Sequence, residues 1–508
     1  MSQSTKRYID LVYGPALKQP EKIAVACGDY RLTFQQLHER IGSLGSAFRM
    51  LGLIPGDRVA LLADNEPIHV ELQGACLRSG FTLVSLNARL TDPEIEYIVK
   101  DCSPAVFIAG KQYADTVRRV GEKCGVTRLF ACADGGGLGS YEDLLNSAEP
   151  DPELDPIDNH LDALILYTSG TTGNPKGATI DRQAMTARIM GNAMEMEIGT
   201  DEVLLQNLPL FHISCFLFYA YLFRGATCIL LPTFDPEKAL SIMQKEGVTA
   251  TNGVPTIIAM LLDAPNIDSY DPAPLRLITY GGAPIDPPLL RRALARFECC
   301  FQQQYGMTEA GSVCLLKAGD HDPEDNDALT SAGCDAAGYE LLIIDENGNA
   351  LPRGMAGEIK LRGPGLMTGY WGLPEKTAES IVNGWYHTGD VGYCDNRNFL
   401  HVVDRRNDMI ISGGENVYPR EVESVLAEHP AMIDAAVIGL PDPKWGEVVS
   451  CVLTENAPSA EELEAWLRER VAGYKIPRRW LRVPELPRTA TGKVLKVQLR
   501  ELFGSSRD

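Results

Sequence analysis

The densest chemistry in the chain is Tyr167-Thr168-Ser169-Gly170-Thr171-Thr172-Gly173-Asn174-Pro175-Lys176-Gly177, directly after the apolar run Ala163 to Leu166. Its glycines permit tight turns and close approach of backbone amides to an anion. Serine and threonine hydroxyls with one lysine add donors suited to phosphate. The spacing is not the G-x-x-x-x-G-K-[ST] of a P-loop NTPase. A solvated linker would not follow a buried strand with this donor density, so a phosphate-binding loop is expected. A second constellation is Gln304-Tyr305-Gly306-Met307-Thr308-Glu309. A hydroxyl at the end of such a turn can meet a phosphate, and a hard carboxylate oxygen can hold Mg²⁺; a lone Thr-Glu pair would equally serve as a helix cap. Asp390, in His-Thr-Gly-Asp, can accept from both hydroxyls of a ribose, as carboxylates do in dinucleotide sites. His212 follows Leu208-Pro-Leu-Phe, and a histidine among apolar residues is more often a core residue than a ligand. Lys493, after Gly492, reads by composition as a solvated charge.

Taken together with Gly281-Gly282-Ala283-Pro284, Gly384 to Asp390, Asp404 to Asp408, Ser412-Gly413-Gly414-Glu415-Asn416 and Pro487 to Lys493, these make eight motifs in order along nearly the whole chain. In that order they resemble the adenylate-forming superfamily of acyl-CoA synthetases, peptide-synthetase adenylation domains and firefly-type luciferases. The resemblance implies an ATP-dependent carboxylic acid–CoA ligase that works through an acyl-adenylate and releases AMP and pyrophosphate. It makes Lys493 the adenylation lysine, a mobile cation between two anions. It also places Thr308, Glu309 and His212 in the catalytic set, with Glu309 the Mg²⁺ ligand and His212 beside the acid's carboxylate. The nucleotide would be held by Thr168, Ser169, Gly170, Thr171, Thr172, Gly173 and Lys176, by Gly281, Gly282, Ala283 and Pro284 along the adenine, and by Gln304, Tyr305, Gly306, Asp390 and Arg405. Asn407 would be the hinge, Ser412, Gly413, Gly414 and Trp445 the CoA tunnel, and Met190, Phe211, Ile213, Ser214, Asn252, Gly253 and Tyr280 the acyl pocket. That pocket is mostly apolar, with no acidic partner for an ammonium between Phe211 and Phe216. Fatty acids of medium or long chain and aryl acids are therefore expected. The chain departs from the family pattern at Asn407, where Asp or Lys is usual, at Asp404, and at Ser331 to Gly338, where relatives often carry Gly-Arg-Pro. Three rivals are an enzyme loading a carrier protein, a luciferase-like oxygenase, and an inactive nucleotide-binding relative; the last would lack the lysine that Lys493 supplies.

The elements that must position these groups are legible in outline. Thr33 and Gln36 form a capping-box pattern before Leu37, Ile41, Leu44, Phe48 and Leu51 at helical spacing. The turn Pro55-Gly56-Asp57 leads to a buried strand over 59–62, then a helix over 92–101 and a strand over 105–109. This alternation predicts an α/β fold: a large N-terminal domain of helix-covered β-sheets. From Gly338, short strand-like runs (Glu340 to Ile344, Gly357 to Leu361) among turn residues predict a small β-barrel-like subdomain. A smaller, mobile α+β domain follows, with a strand at 435–438 and a helix from about 460 to 471. The expected boundaries are 1–403, a hinge at 404–408, and 409–508.

Composition narrows the partners. The 508 residues carry a net charge of −21 and are 45% hydrophobic. That charge argues against nucleic acid and anionic membrane surfaces. The apolar stretch Phe216 to Phe223 stops at Arg224 and is too short to span a bilayer. The N-terminus lacks a signal-peptide pattern. Thirteen cysteines without a CxxC pair argue against a disulfide framework or structural zinc; Cys299 and Cys300 are expected as buried strand residues. A cytoplasmic enzyme of ATP, CoA and a small carboxylic acid is expected, with a homodimer left open.

Overall fold

The computed structural model describes residues 10–133, 137–151, 157–168, 175–405, 408, 410–412, 415–431, 434–442, 445–488 and 494–504. Ser169 to Gly173, Asn407, Gly413, Gly414 and Lys493 lie outside these residues.

Two sheets dominate the first four hundred residues. One has the order Gly369–Tyr370, Lys176–Asp181, Asp162–Thr168, Thr82–Leu86, Arg58–Leu62, Val106–Ala109, Leu129–Ala131 and Gly139–Ser140. Its central pairs are parallel. The other runs Cys334–Asp335, Gly311–Leu316, Cys300–Met307, Leu277–Gly281, Ala250–Gly253, Val203–Gln206, Thr227–Leu230, Ile23–Cys27 and Tyr30–Thr33. Five consecutive neighbour pairs within it, from Cys300–Met307 across to Ile23–Cys27, are parallel. Helices cover the strands because parallel pairing needs crossover connections that bring helices onto the faces. The helix Phe34–Met50 opens with the expected capping box, Gln36 N–H donating to Thr33 Oγ1 at 3.2 Å and Thr33 N–H to Gln36 Oε1 at 2.9 Å. Its Leu37, Ile41, Leu44 and Phe48 are buried in the largest core cluster.

The small antiparallel unit expected after Gly338 is a five-stranded sheet of Glu340–Ile344, Gly357–Arg362, Trp385–Cys394, Ile381–Val382 and Leu400–Arg405. A second small unit follows, built on Gly446–Thr454 with Ala435–Asp442 and Arg479–Val483 beside it and the helices Pro419–Ala427, Ala460–Arg468 and Lys496–Gly504 around it. Its sheet separates two core clusters, so both faces are covered. The expected fold class is thus observed. Every cysteine is a free thiol. The adjacent pair departs from expectation: Cys300, the first residue of its strand, is exposed, and Cys299 is half-buried. No helix among the described residues is long and apolar enough to cross a membrane; Phe216 to Leu222 is instead buried in the core.

One buried side chain ties the first sheet to its helices. Arg182, at 0% exposure, donates to the carbonyls of Leu161, Asp162, Cys76 and Phe81 at 2.9 to 3.1 Å. Three of these carbonyls also accept a second donor, Leu161 from the Arg182 N–H, Asp162 from the Thr82 hydroxyl and Cys76 from the Phe81 N–H, so the loss of the guanidinium removes charged hydrogen bonds of about 1.5–3 kcal/mol each without orphaning those three acceptors. Arg182→Met should therefore lower stability by about 3 kcal/mol or more, read as a fall in the urea midpoint at unchanged m-value.

Candidate active site

Three sequence motifs and the Asn252-Gly253 segment, far apart in the chain, meet because their strands are parallel and in register. The strand ending at Gln206 feeds the segment Asn207 to His212; the strands Ala250–Gly253 and Leu277–Gly281 end beside it; Cys300–Met307 continues into Thr308 and Glu309. Gly253 pairs with Tyr280, Tyr280 with Gln303 and Gly281 with Gln304. All four connections therefore emerge at the carboxyl ends of the strands, where open α/β sheets bind ligands. Close approach there requires glycine at two positions. A Cβ on Gly281 would lie 2.3 Å from the Gln304 carbonyl oxygen, and one on Gly306 would lie 2.1 Å from that of Gly311. Gly282, Ala283 and Pro284 follow Gly281 in the turn after its strand and are more exposed.

The Leu208–His212 segment is clamped by Asn252. Its Oδ1 accepts the N–H groups of Asn207 and Leu208, each at 3.2 Å, and its Nδ2 donates to Gln206 Oε1 at 2.6 Å. Asn252, expected in the acyl pocket, thus spends its amide holding the loop. Ser214 likewise donates to the Pro209 carbonyl at 2.6 Å. Phe211 and Tyr280 are buried, and Ile213 is half-buried against the main core. Burial pushes the His212 imidazole below its ordinary value, so it is neutral at pH 7 and can share a hydrogen bond without adding charge. Met190 does not join this group. It is 46% exposed, because on the helix Arg182–Glu195 the inward face carries Met185, Arg188, Ile189 and Asn192.

The two carboxylates are each held by a tyrosine. Tyr305 donates to Asp390 Oδ2 at 2.6 Å, and Tyr370 donates to Glu309 Oε1 at 3.0 Å. Burial of Tyr305, together with the adjacent Asp390, raises its phenol well above the usual range, so it stays a donor. Thr308 is buried, and the Glu309 carbonyl accepts the Met367 N–H at 2.7 Å. Lys176 Nζ sits 5.1 Å from the centroid of the Tyr370 ring. Thr168 and Lys176 face each other across the antiparallel pair Asp162–Thr168 and Lys176–Asp181. Asp390 is register partner of Arg405. In the C-terminal unit Ser412 pairs with Gly446, next to Trp445, whose ring lies 4.2 Å beneath the Arg478 guanidinium.

Two residues were not foreseen. Tyr370 reaches Glu309 through a two-residue strand, Gly369–Tyr370, paired to Lys176–Asp181, a long-range pairing with no local sequence signal. Arg188 donates Nε–H to the Gly365 carbonyl at 2.8 Å and Nη1–H to the Thr308 carbonyl at 3.0 Å. Its signal was available: a charge at helical spacing on the same face as Met185 and Asn192.

Polar groups gathered at the carboxyl ends of parallel strands place the candidate site where α/β enzymes bind their ligands. The chain belongs to the AMP-binding enzyme family: that family matches residues 15–371, and the AMP-binding enzyme C-terminal domain matches residues 421–493. It is an acid–thiol ligase of the AMP-forming class. It is 39% identical over 494 residues to a feruloyl-CoA synthase of an Amycolatopsis species, covering 96% of this chain and 97% of the relative. It is 34% identical over 498 residues to the fatty acid–[acyl-carrier-protein] ligase ScoC of Streptomyces coeruleorubidus, covering 96% and 95%. Among solved structures, ATP-bound MatB from Rhodopseudomonas palustris superposes with a TM-score of 0.89 at 30% identity, covering 98% of this chain and 99% of that one.

The contact at Gly306 is directly testable. Gly306→Ala would force its Cβ against backbone, an overpacking cost of about 1–3 kcal/mol. It should lower the thermal midpoint and cut acid-dependent pyrophosphate release at least about tenfold, measured on the folded fraction.

Proposed function

We propose that the protein joins an aryl carboxylic acid to CoA through an acyl-adenylate, a medium- or long-chain fatty acid being the second substrate class. The observation that carries this reading is the juxtaposition of a neutral His212 loop, the Thr308–Glu309 turn and the Tyr305–Asp390 pair along one strand edge. An acid activated here needs its carboxylate close to an α-phosphate, and this edge offers donors to both. In the family-matching roles, Thr168 to Lys176 embrace the β- and γ-phosphates. Gly281 to Pro284 lie along the adenine. Asp390 and Arg405 hold the ribose, and Thr308 meets the α-phosphate.

Glu309 is the residue that would hold Mg²⁺. No cluster of three acidic, cysteine or histidine ligands exists among the described residues. That matches an ion bound through one carboxylate and substrate phosphates, and Tyr370 aims the Glu309 carboxylate without neutralising it. When bound, such an ion offsets charge building on the phosphates. The chain's own contribution is orientation. His212 shares a neutral hydrogen bond with the acid, and Lys493 supplies the cation between carboxylate and α-phosphate. We further propose that residues 404–408 are the hinge between domains 1–403 and 409–508. Turning at Asn407 would withdraw Lys493 and bring Ser412 to Gly414 and Trp445 to the site for CoA. The pairing of Ser412 with Gly446 beside Trp445 supports one shared thiol path. The 34% identity to a carrier-protein ligase favours a carrier-bound thiol as the alternative acceptor; thioester formation with free CoA at saturating rate would set it aside.

Glu309→Gln keeps shape and removes the anionic ligand, so turnover should fall at least about tenfold, more than 1.4 kcal/mol. Unchanged turnover across a Mg²⁺ titration would refute the role. Lys493→Ala should abolish adenylate formation by roughly 10²-fold, yet still convert presynthesised acyl-adenylate to thioester. Asn407→Pro, which fixes the hinge backbone, should do the reverse. Single-turnover kinetics of each half-reaction decide; equal loss of both halves in both folded variants contradicts the rotating-domain reading.

A further inference from the structure

Two opposite charges of the site share one tyrosine. The Lys176 ammonium lies 5.1 Å from the centroid of the Tyr370 ring, and the Tyr370 hydroxyl donates to Glu309 Oε1 at 3.0 Å. Among the described residues neither Lys176 nor Glu309 is ion-paired, with the other or with any third group. Opposite charges that touch the same side chain attract strongly wherever water is partly excluded. Their separation therefore needs a cause.

The cause lies in how the tyrosine is anchored. Tyr370 stands opposite Ala178 in the antiparallel pairing of Gly369–Tyr370 with Lys176–Asp181, and the Trp371 N–H donates to the Gly177 carbonyl at 2.7 Å. Lys176 is two residues from Ala178, which makes it the diagonal neighbour on the same face, within reach of a long side chain. Three residues before Tyr370, the Met367 N–H holds the Glu309 carbonyl at 2.7 Å. The segment 367–371 thus runs from the sheet that carries Lys176 to the sheet whose strand Cys300–Met307 leads into Glu309. The Tyr370 N–H donates to Thr377 Oγ1 at 2.9 Å. Tyr370 and Tyr386 are both buried, and their hydroxyls are hydrogen-bonded. A phenol has one proton to give; with that of Tyr370 on Glu309, Tyr386 donates to the Tyr370 oxygen. Backbone and hydroxyl are both fixed, so the ring cannot swing out from between the two charges.

We propose that Tyr370 is a positioning residue that keeps the phosphate-loop lysine and the metal-holding carboxylate apart, so that each stays open to its own part of Mg·ATP. Its hydroxyl aims Glu309, its ring carries Lys176, and its bulk prevents the internal ion pair that would cancel both charges. The inference rests on the roles given to Lys176 and Glu309 above.

The test is equilibrium binding by the full-length protein: ATP in EDTA by calorimetry, and Mn²⁺ with ATP present by loss of the free ion's paramagnetic signal. Tyr370→Phe keeps the ring under Lys176 and removes the bond to Glu309. Its metal-free ATP affinity should stay within about twofold of wild type, while its Mn²⁺ midpoint rises about tenfold or more, as when other partners of a metal ligand are lost. Tyr370→Leu removes ring and hydroxyl and lets Lys176 close on Glu309, so metal-free ATP affinity should fall about fivefold or more. Adding Glu309→Gln to that variant should restore the affinity, by several times more than the same change alters wild type, because an amide does not hold the ammonium. A lost structural support would show no such rescue. An unchanged Mn²⁺ midpoint in Tyr370→Phe, or an equal effect of Glu309→Gln in the wild-type and Tyr370→Leu backgrounds, overturns the inference. Tyr370→Phe preserves the ring packing, so its result decides even where Tyr370→Leu does not fold. Two controls separate this inference from the reading beneath it. If Glu309→Gln leaves Mn²⁺ binding unchanged, or Lys176→Met leaves metal-free ATP binding unchanged, that reading falls and this inference with it. If both controls weaken binding and Tyr370→Phe matches wild type, this inference alone falls.

Discussion

The site depends on parallel strand pairing kept in register. Because Gly253, Tyr280 and Gln303 lie abreast, the connections that follow these parallel strands leave the sheet at the same end. A one-residue slip would turn each side chain to the opposite face. Gly281 and Gly306 show how tightly that edge is drawn, since the spaces beside them are filled by backbone carbonyls. Helix cover on both faces supplies the burial that holds the register, and the side-chain clamps at Asn252 and Arg182 supply the polar satisfaction that burial demands.

Within this frame the acidic groups are oriented by neutral donors. Tyr370 on Glu309 and Tyr305 on Asp390 fix the carboxylates through hydroxyl hydrogen bonds. A hydroxyl donor orients a carboxylate while leaving its charge available to a cation or to further donors, which a salt bridge would not. The neutral His212 fits the same logic. Arg188 stands apart as a buried charge held by carbonyls and an aromatic face.

How much of this was legible beforehand divides along the range of the interactions. Helix 34–50 and its cap, the strands at 58–62, 106–109 and 162–168, and the change of texture after Gly338 were readable because capping and periodicity are local. The ordered motifs identified the family because eight of them follow one another in a fixed order along nearly the whole chain. The pocket was read less well. Met190 is 46% exposed on a helix whose inward face carries Met185, Arg188, Ile189 and Asn192, and the Asn252 amide, expected in the acyl pocket, holds the Leu208–His212 segment.

By itself the sequence determined the α/β class, the order of motifs and the acid–thiol ligase chemistry. Tertiary structure alone decided that Tyr370 meets Glu309 across 61 residues, that Tyr305 meets Asp390 across 85, and that Arg188 touches Thr308 across 120. The physical reason is that a motif is a run of chain whose chemistry travels with it, whereas a hydrogen bond between distant segments exists only once the sheets have set their register and burial has removed water as the competing partner.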